Sequence, residues 1–225
     1  MNRFSDARFQ GQNLICVRSE RTVFASLDFD LCAGGALILV GPNGSGKSSL
    51  LRMMAGLLKP FAGNMTWSEG GEAEDVHQDM DLHGVRLHYV GHHDAVKPVL
   101  SAAENIGFWA HLRGQGEDAV LDALEVFAIK HLYDVPGRFL SAGQKRRVNL
   151  ARIIAAPAPL WLLDEATTAL DKATIKRLEA AMQRHRDAGG MVVLSTHSDV
   201  NTPGATTLDL ADFAYEIPHD EFEMV

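Results

Sequence analysis

The sequence predicts an α/β fold, a mostly parallel sheet flanked by helices, and three observations carry that prediction. Short apolar runs alternate with stretches of helical periodicity, a glycine-rich loop joins one such run to a helix, and a long helix-only stretch interrupts the alternation. Strands separated by helices pair in parallel through crossovers, so helices cover both faces and the carboxyl ends of the strands are left for a ligand.

The runs at 14–17, 37–40, 87–90, 160–163 and 191–195 are rich in Leu, Ile and Val and are bounded by Gly, Pro or Asp, which predicts a strand at each. Helical spacing predicts helices over 47–57, 102–112, 117–127, 142–156 and 172–188. In the last of these Ile175, Leu178 and Met182 share one face, Asp171 stands at the capping position and Gly189 at the stop. Only helical patterns occur between His92 and the run at 160, which predicts a helical subdomain over 92–156 inserted into one continuous domain. Residues 1–91 and 157–210 would form the sheet core, with 211–225 as an acidic tail. The Gly- and acid-rich segment 68–83 reads as an exposed excursion.

With 225 residues, 46% hydrophobic and 22% charged, the chain can bury a core without disulfides or a structural metal, and disordered and collagenous classes are excluded. The 21 basic and 29 acidic side chains leave a net charge of -8; up to residue 186 the signs balance, and the eight surplus acids all lie beyond it. A balanced body with an acidic end argues against nucleic acid as a partner. Cys16 and Cys32 lack C-x-x-C spacing and read as reduced, buried, small apolar residues of a cytosolic protein. No apolar run approaches the roughly 20 residues that span a bilayer. The first 21 residues lack the layout of a secretory signal, so a membrane role would be peripheral.

The strongest chemical signal is Gly41-Pro42-Asn43-Gly44-Ser45-Gly46-Lys47-Ser48, which matches G-x-x-x-x-G-K-[ST] between a predicted strand and helix, with Ser49 following in the first turn. Glycines let successive backbone N–H groups converge on a phosphate chain, and the helix start adds partial positive charge. Lys47 supplies a cation for the β- and γ-phosphates of a nucleotide, and Ser48 a hydroxyl for Mg²⁺. A strand ending in Asp164-Glu165 brings carboxylates to the same sheet edge: Asp164 suits Mg²⁺, and Glu165 suits deprotonation of an attacking water. Leu140-Ser141-Ala142-Gly143-Gln144 is a capped helix start that can also face an anion, while Lys145, Arg146 and Arg147 read as a solvated helix face.

In chain order, the phosphate loop, the segment Leu140 to Gln144, the strand ending in Asp164-Glu165, Ala169-Leu170-Asp171 and Ser195-Thr196-His197 resemble the motif series of ABC-type ATPase domains, over residues 10–210. The resemblance implies the ABC type of P-loop NTPase fold and a homodimer in which Ser141, Gly143 and Gln144 of one copy close over ATP held by the loop of the other. It implies that Asp171 lies at the dimer interface and that His197 meets the γ-phosphate and helps hold Glu165 and water. Three positions depart from the family pattern: His92 stands where Gln is usual and Mg²⁺ is sensed, Arg18 falls near the adenine-stacking position, and Ala166 replaces a proline. A separate haem or metal site at His92-His93 lacks a second ligand cluster.

The segments 89–92, 97–108, 140–147 and 159–171 further resemble the CcmA-type ATP-binding subunits of haem exporters used in cytochrome c maturation. That resemblance implies a peripheral ATPase on the cytoplasmic side of the inner membrane, bound to an integral CcmB-type subunit. Its ATP hydrolysis would drive release of a haem-loaded periplasmic chaperone, without haem touching this chain. Competing readings are the ATPase of another ABC transporter, a nucleic-acid-handling ABC ATPase, for whose insertions 225 residues leave no room, and a nucleotide switch without turnover, which Glu165 and His197 together disfavour.

Overall fold

The computed structural model describes residue 4, residues 6–196 and residues 199–215. The chain opens with a long antiparallel hairpin, β1 (Ala7–Arg18) and β2 (Arg21–Cys32), closed by Ser19 and Glu20 with φ of 46° and 64°. Two successive left-handed residues give the turn twist that matches paired strands. β3 (Ala36–Val40) leads through the glycine loop into α1 (Lys47–Met54), and β4 (Ala62–Glu69) returns to pair with β1. β5 (Glu74–Asp75), α2 (Met80–Val85) and β6 (Leu87–Val90) precede the helices α3 (Ala102–Leu112), α4 (Glu117–Val126) and α5 (Ala142–Ala155). β7 (Leu160–Asp164), α6 (Lys172–Asp187), β8 (Met191–Ser195) and β9 (Thr206–Asp209) complete the described elements.

The strands form two sheets. One is antiparallel with order β2-β1-β4-β5; the other is parallel throughout, with order β6-β7-β8-β3-β9. Every residue of β7 and β8 is buried, as expected of parallel strands covered on both faces. Alternate residues enter different cores. Leu160, Leu162 and Val193 join Phe9, Phe24, Trp67 and the α1 residues Leu50 and Met54 between the two sheets, while Trp161, Leu163 and Val192 join α3, α5 and α6 on the far side.

The predicted strand at 14–17 is part of the antiparallel hairpin rather than the parallel sheet. Asn13 and Ser26 adopt positive φ at register shifts, and these bulges break the two-residue alternation that would have marked both strands. The segment 68–83 is largely exposed, as expected, with two exceptions. Val76 and His83 are buried, and His83 Nε2 lies 2.8 Å from Met54 O, which ties α2 to the end of α1. Cys16 is buried, but Cys32 is exposed at the end of an edge strand.

The predicted helix starts are capped as expected: Ser141 and Gln144 form a capping box on α5, and Asp171 accepts from Thr174 N at 2.7 Å on α6. A further capping box, Ser101 with Glu104, opens α3. α1 ends at Met54, earlier than predicted, because the left-handed Gly56 turns the chain. Ile217 and Phe222 of the predicted acidic tail lie outside the described residues.

Buried imidazoles make the fold acid-sensitive. His88, hydrogen-bonded to Ala156 O, is pushed by burial from the ordinary 6.5 to about 3, and His185, stacked on Trp161 at 3.9 Å, to about 4. As pH falls below 6.5 the unfolded chain binds protons that the folded chain refuses, so folding free energy is lost progressively toward those values. The expected outcome is a thermal midpoint that declines steadily from pH 6.5 to 4; His88→Gln, which keeps a donor toward Ala156 O and does not titrate, should flatten that decline.

Candidate active site

β3 lies inside the parallel sheet, and its carboxyl end delivers the loop at residues 41–46 to the sheet edge. Gly46 joins the loop to α1 with φ of 102°, where a Cβ would approach Phe24 Cδ1 to 2.8 Å and Val23 Cγ1 to 2.9 Å. A glycine is required there on both counts. Pro42, Asn43 and Gly44 are exposed, whereas Lys47 is buried and its Nζ donates to Gly41 O at 2.7 Å and Pro42 O at 3.0 Å. The ammonium thus sits within the loop it is expected to serve. Ser45 Oγ is buried without a hydrogen-bond partner, and Ser49 lies beside Cys16, whose thiol is pushed up by burial. Arg18 is exposed at the end of the hairpin whose Val23 and Phe24 pack against Gly46.

Asp164, at the end of β7, is 1% exposed and accepts from Ser48 Oγ at 3.1 Å, Ser195 Oγ at 2.7 Å and Tyr89 Oη at 3.4 Å. A buried carboxylate needs this many donors, and here they are hydroxyls from α1, β8 and β6. Glu165 then leaves the sheet with φ of 50°, a left-handed conformation that costs a non-glycine residue roughly 1–2 kcal/mol. Its N–H donates to Ser195 O at 3.0 Å, and its side chain, about a third exposed, brings Oε2 to 3.4 Å from His92 Nδ1. The structure therefore brings Lys47, Ser48, Asp164, Glu165 and His92 to one sheet edge.

Arg146 corrects the reading of 145–147 as a solvated face. It is 3% exposed and donates to Ala166 O at 3.3 Å, Gly91 O at 2.9 Å, Asp94 Oδ1 at 3.1 Å, Asp164 O at 3.1 Å and Glu165 O at 2.8 Å. A signal was present in the sequence: Arg146, Leu150 and Ile153 recur at helical spacing, so the arginine stands on the inward face of α5. Tyr89, Ser195, Asp94 and Asn149, whose Nδ2 donates to Asp94 Oδ1 at 3.3 Å, are further residues of this edge that motif reading did not single out as site residues.

The remaining predicted residues form a second group on the surface. Ser141 is exposed at the start of α5, with its Oγ accepting from Gln144 N at 3.3 Å and its N–H donating to Gln144 Oε1 at 2.8 Å. At Gly143 a Cβ would lie 3.1 Å from Ala169 O, a residue in the left-handed region with φ of 63°. The start of α5 is therefore packed against the loop that leads to Asp171. The Asp171 carboxyl, bonded to Thr174, is held below its usual range. His197 lies outside the described residues; the neighbouring Thr196 Oγ1 is 3.3 Å from Thr167 Oγ1.

The ABC transporter family profile matches residues 24–168. The cytochrome c biogenesis ATP-binding export protein CcmA of Rhodospirillum rubrum is 62% identical over 208 residues, covering 92% of this chain and 88% of its own. The protein of that name from Paramagnetospirillum magneticum is 61% identical over 214 residues, with coverages of 93% and 97%. Among solved structures, a putative ABC transporter ATP-binding protein from Pyrococcus furiosus superposes with a TM-score of 0.78 at 20% identity, covering 92% of this chain and all of its own. Loop, strand-end carboxylates and capped helix thus occur in a chain that belongs to the ABC transporter ATP-binding family, and within it to the CcmA-type export ATPases of cytochrome c biogenesis.

Proposed function

We propose that this chain hydrolyses ATP as a subunit of the haem exporter complex of cytochrome c maturation, and that hydrolysis drives release of a haem-loaded periplasmic chaperone. The haem-exporter part of the reading rests on the 62% identity to a CcmA protein; the observation that carries the ATP-hydrolysing part is the hydrogen bond between Ser48 and Asp164, 3.1 Å long and 116 residues apart in sequence, which joins the phosphate loop to the strand-end carboxylate. Hydroxyl and carboxylate are the oxygen donors that a hard divalent cation takes, so Ser48 and Asp164 fit Mg²⁺. Bound there, Mg²⁺ would neutralise charge on the β- and γ-phosphate oxygens. His92, a nitrogen donor that Mg²⁺ disfavours, acts instead on Glu165, 3.4 Å away.

In this reading the backbone N–H groups between Gly41 and Ser49, Pro42 having none, cradle the phosphates, Lys47 leaves the loop carbonyls for the β- and γ-phosphates, and Arg18 stacks on adenine. Glu165 takes a proton from water as the water oxygen attacks the γ-phosphorus, ADP departs, and His197 orients the attacking group. The exposure of Pro42, Asn43 and Gly44, and of Ser141, supports a site completed by a second copy. Ser141 accepts from its own helix, which leaves its hydroxyl proton to donate to a γ-phosphate across the interface, together with Gly143 and Gln144. Asp171 lies at that interface. The homodimer works on a CcmB-type membrane subunit at the cytoplasmic side of the inner membrane. No helix among the described residues is long and apolar enough to cross a membrane, as a peripheral subunit requires.

Glu165→Gln is expected to retain ATP binding and lower turnover at least ~100-fold. In the presence of ATP it should also accumulate as a dimer in solution scattering; near-normal turnover removes Glu165 from the role of base. Lys47→Ala should abolish nucleotide affinity in calorimetry, and undiminished binding contradicts the cradle. Deleting the gene should eliminate covalently haem-bearing c-type cytochromes while b-type haem proteins persist; survival of both classes would leave the ATPase reading intact and defeat the haem-exporter reading.

A further inference from the structure

We infer that Arg146 positions Glu165 for hydrolysis and that Asp94 controls how firmly it does so, a proposal that rests on the reading of Glu165 as the base. Arg146 donates to the carbonyl oxygens of Asp164, Glu165 and Ala166 in succession, at 3.1, 2.8 and 3.3 Å. These three carbonyls define the backbone on either side of the one residue in this stretch whose φ, 50°, is left-handed. The Glu165 conformation is disfavoured for a residue with a Cβ and persists only when its surroundings over-determine it. The guanidinium supplies that determination from inside the protein.

Asp94 holds the other edge of the same guanidinium. Its Oδ1 lies 3.1 Å from Arg146 Nη1, which also donates to Gly91 O at 2.9 Å. A planar guanidinium pulled from two sides is fixed in orientation as well as position. Asp94 belongs to the loop from β6 to α3, and Asn105 of α3 anchors the next part of that loop: its Oδ1 accepts from Lys97 N at 2.7 Å, and its Nδ2 donates to Ser101 O at 2.8 Å and Leu100 O at 3.1 Å. The loop therefore runs between two side chains that hold it, Asn105 of α3 at its far end and Arg146, which also binds the backbone of Glu165. Displacing the loop withdraws Asp94, leaves Arg146 with carbonyls alone, and releases the constraint on Glu165. His92, in the same loop, meets the Glu165 side chain, so backbone and carboxylate are set from one segment.

The test uses the full chain in its transporter complex, with turnover expressed per nucleotide-binding site so that loss of folded protein does not count. Asp94→Ala should lower kcat at least ~10-fold with KM for ATP changed by less than about two-fold, and Asp94→Glu should recover most of that loss. Asp94→Asn, which keeps volume and acceptor while removing charge, should lower kcat about three-fold or more, and it serves where the alanine variant fails to fold. In a Glu165→Gln background Asp94→Ala should cause no further fall in the residual rate, because the residue being positioned no longer acts as a base. A kcat within two-fold of the parent for the folded variants, or a full additional fall in the Glu165→Gln background, overturns the proposal. If instead Glu165→Gln alone keeps turnover near normal, the reading of Glu165 has failed, a result distinct from an inactive Glu165→Gln beside a fully active Asp94→Ala.

Discussion

The active edge depends on a single buried carboxylate. Asp164 cannot sit at 1% exposure beneath a sheet edge unless donors converge on it, and they come from Ser48, Tyr89 and Ser195. The strand order β6-β7-β8 sets Tyr89 and Ser195 on the strands flanking Asp164, and β3, next in the sheet, delivers the loop and α1 from the other side of β8. Satisfying one charge therefore aligns three strand ends and a helix start. The same satisfaction leaves the outward surface of the loop to a ligand, since Lys47 and Ser48 reach inward while Pro42, Asn43 and Gly44 stay exposed.

What was legible in the sequence follows from how local each signal is. The parallel strands are short, apolar and unbroken, so 87–90 and 191–195 could be read residue for residue, and the caps at Ser141 and Asp171 depend only on neighbours three positions away. The hairpin β1–β2 was only partly legible, because the left-handed residues Asn13 and Ser26 insert bulges that shift the buried face midway along each strand. β9 was missed for another reason. At the edge of the sheet its residues Thr206, Thr207, Leu208 and Asp209 are exposed or half-buried, so it carries no apolar run.

The site shows the same division. A phosphate loop or an acid pair is contiguous and can be recognised; the hydroxyls that serve Asp164 are contributed by distant elements and have no shared spacing. Arg146 was concealed by its neighbours. Among Lys145, Arg146 and Arg147, charge alone gives no ground for burying the middle residue, and the register of α5 against the sheet decides it. His83 was hidden in an acid-rich segment in the same way, though it fills the space between Trp67 and the end of α1.

α5 buries two guanidiniums, and together they explain why this helix is held in one orientation over the sheet. Arg146 reaches Gly91 O just beyond the end of β6, and Arg152, nearly two turns later, donates to Tyr89 O at 2.5 Å within the strand. Arg152 lies over the Trp109 ring of α3 at 4.8 Å, and burial lowers it to about 10, so it remains charged at neutral pH. Apolar contacts alone tolerate rotation of a helix about its axis, because they are non-directional. Charged forks aimed at particular carbonyls do not, because each bond is lost within a few tenths of an ångström or a few tens of degrees. The start of α5, with Ser141 exposed and Gly143 against Ala169, is thereby set at a defined angle to β6 and β7, and the two surface groups that a second copy would have to meet at once are carried on one rigid frame.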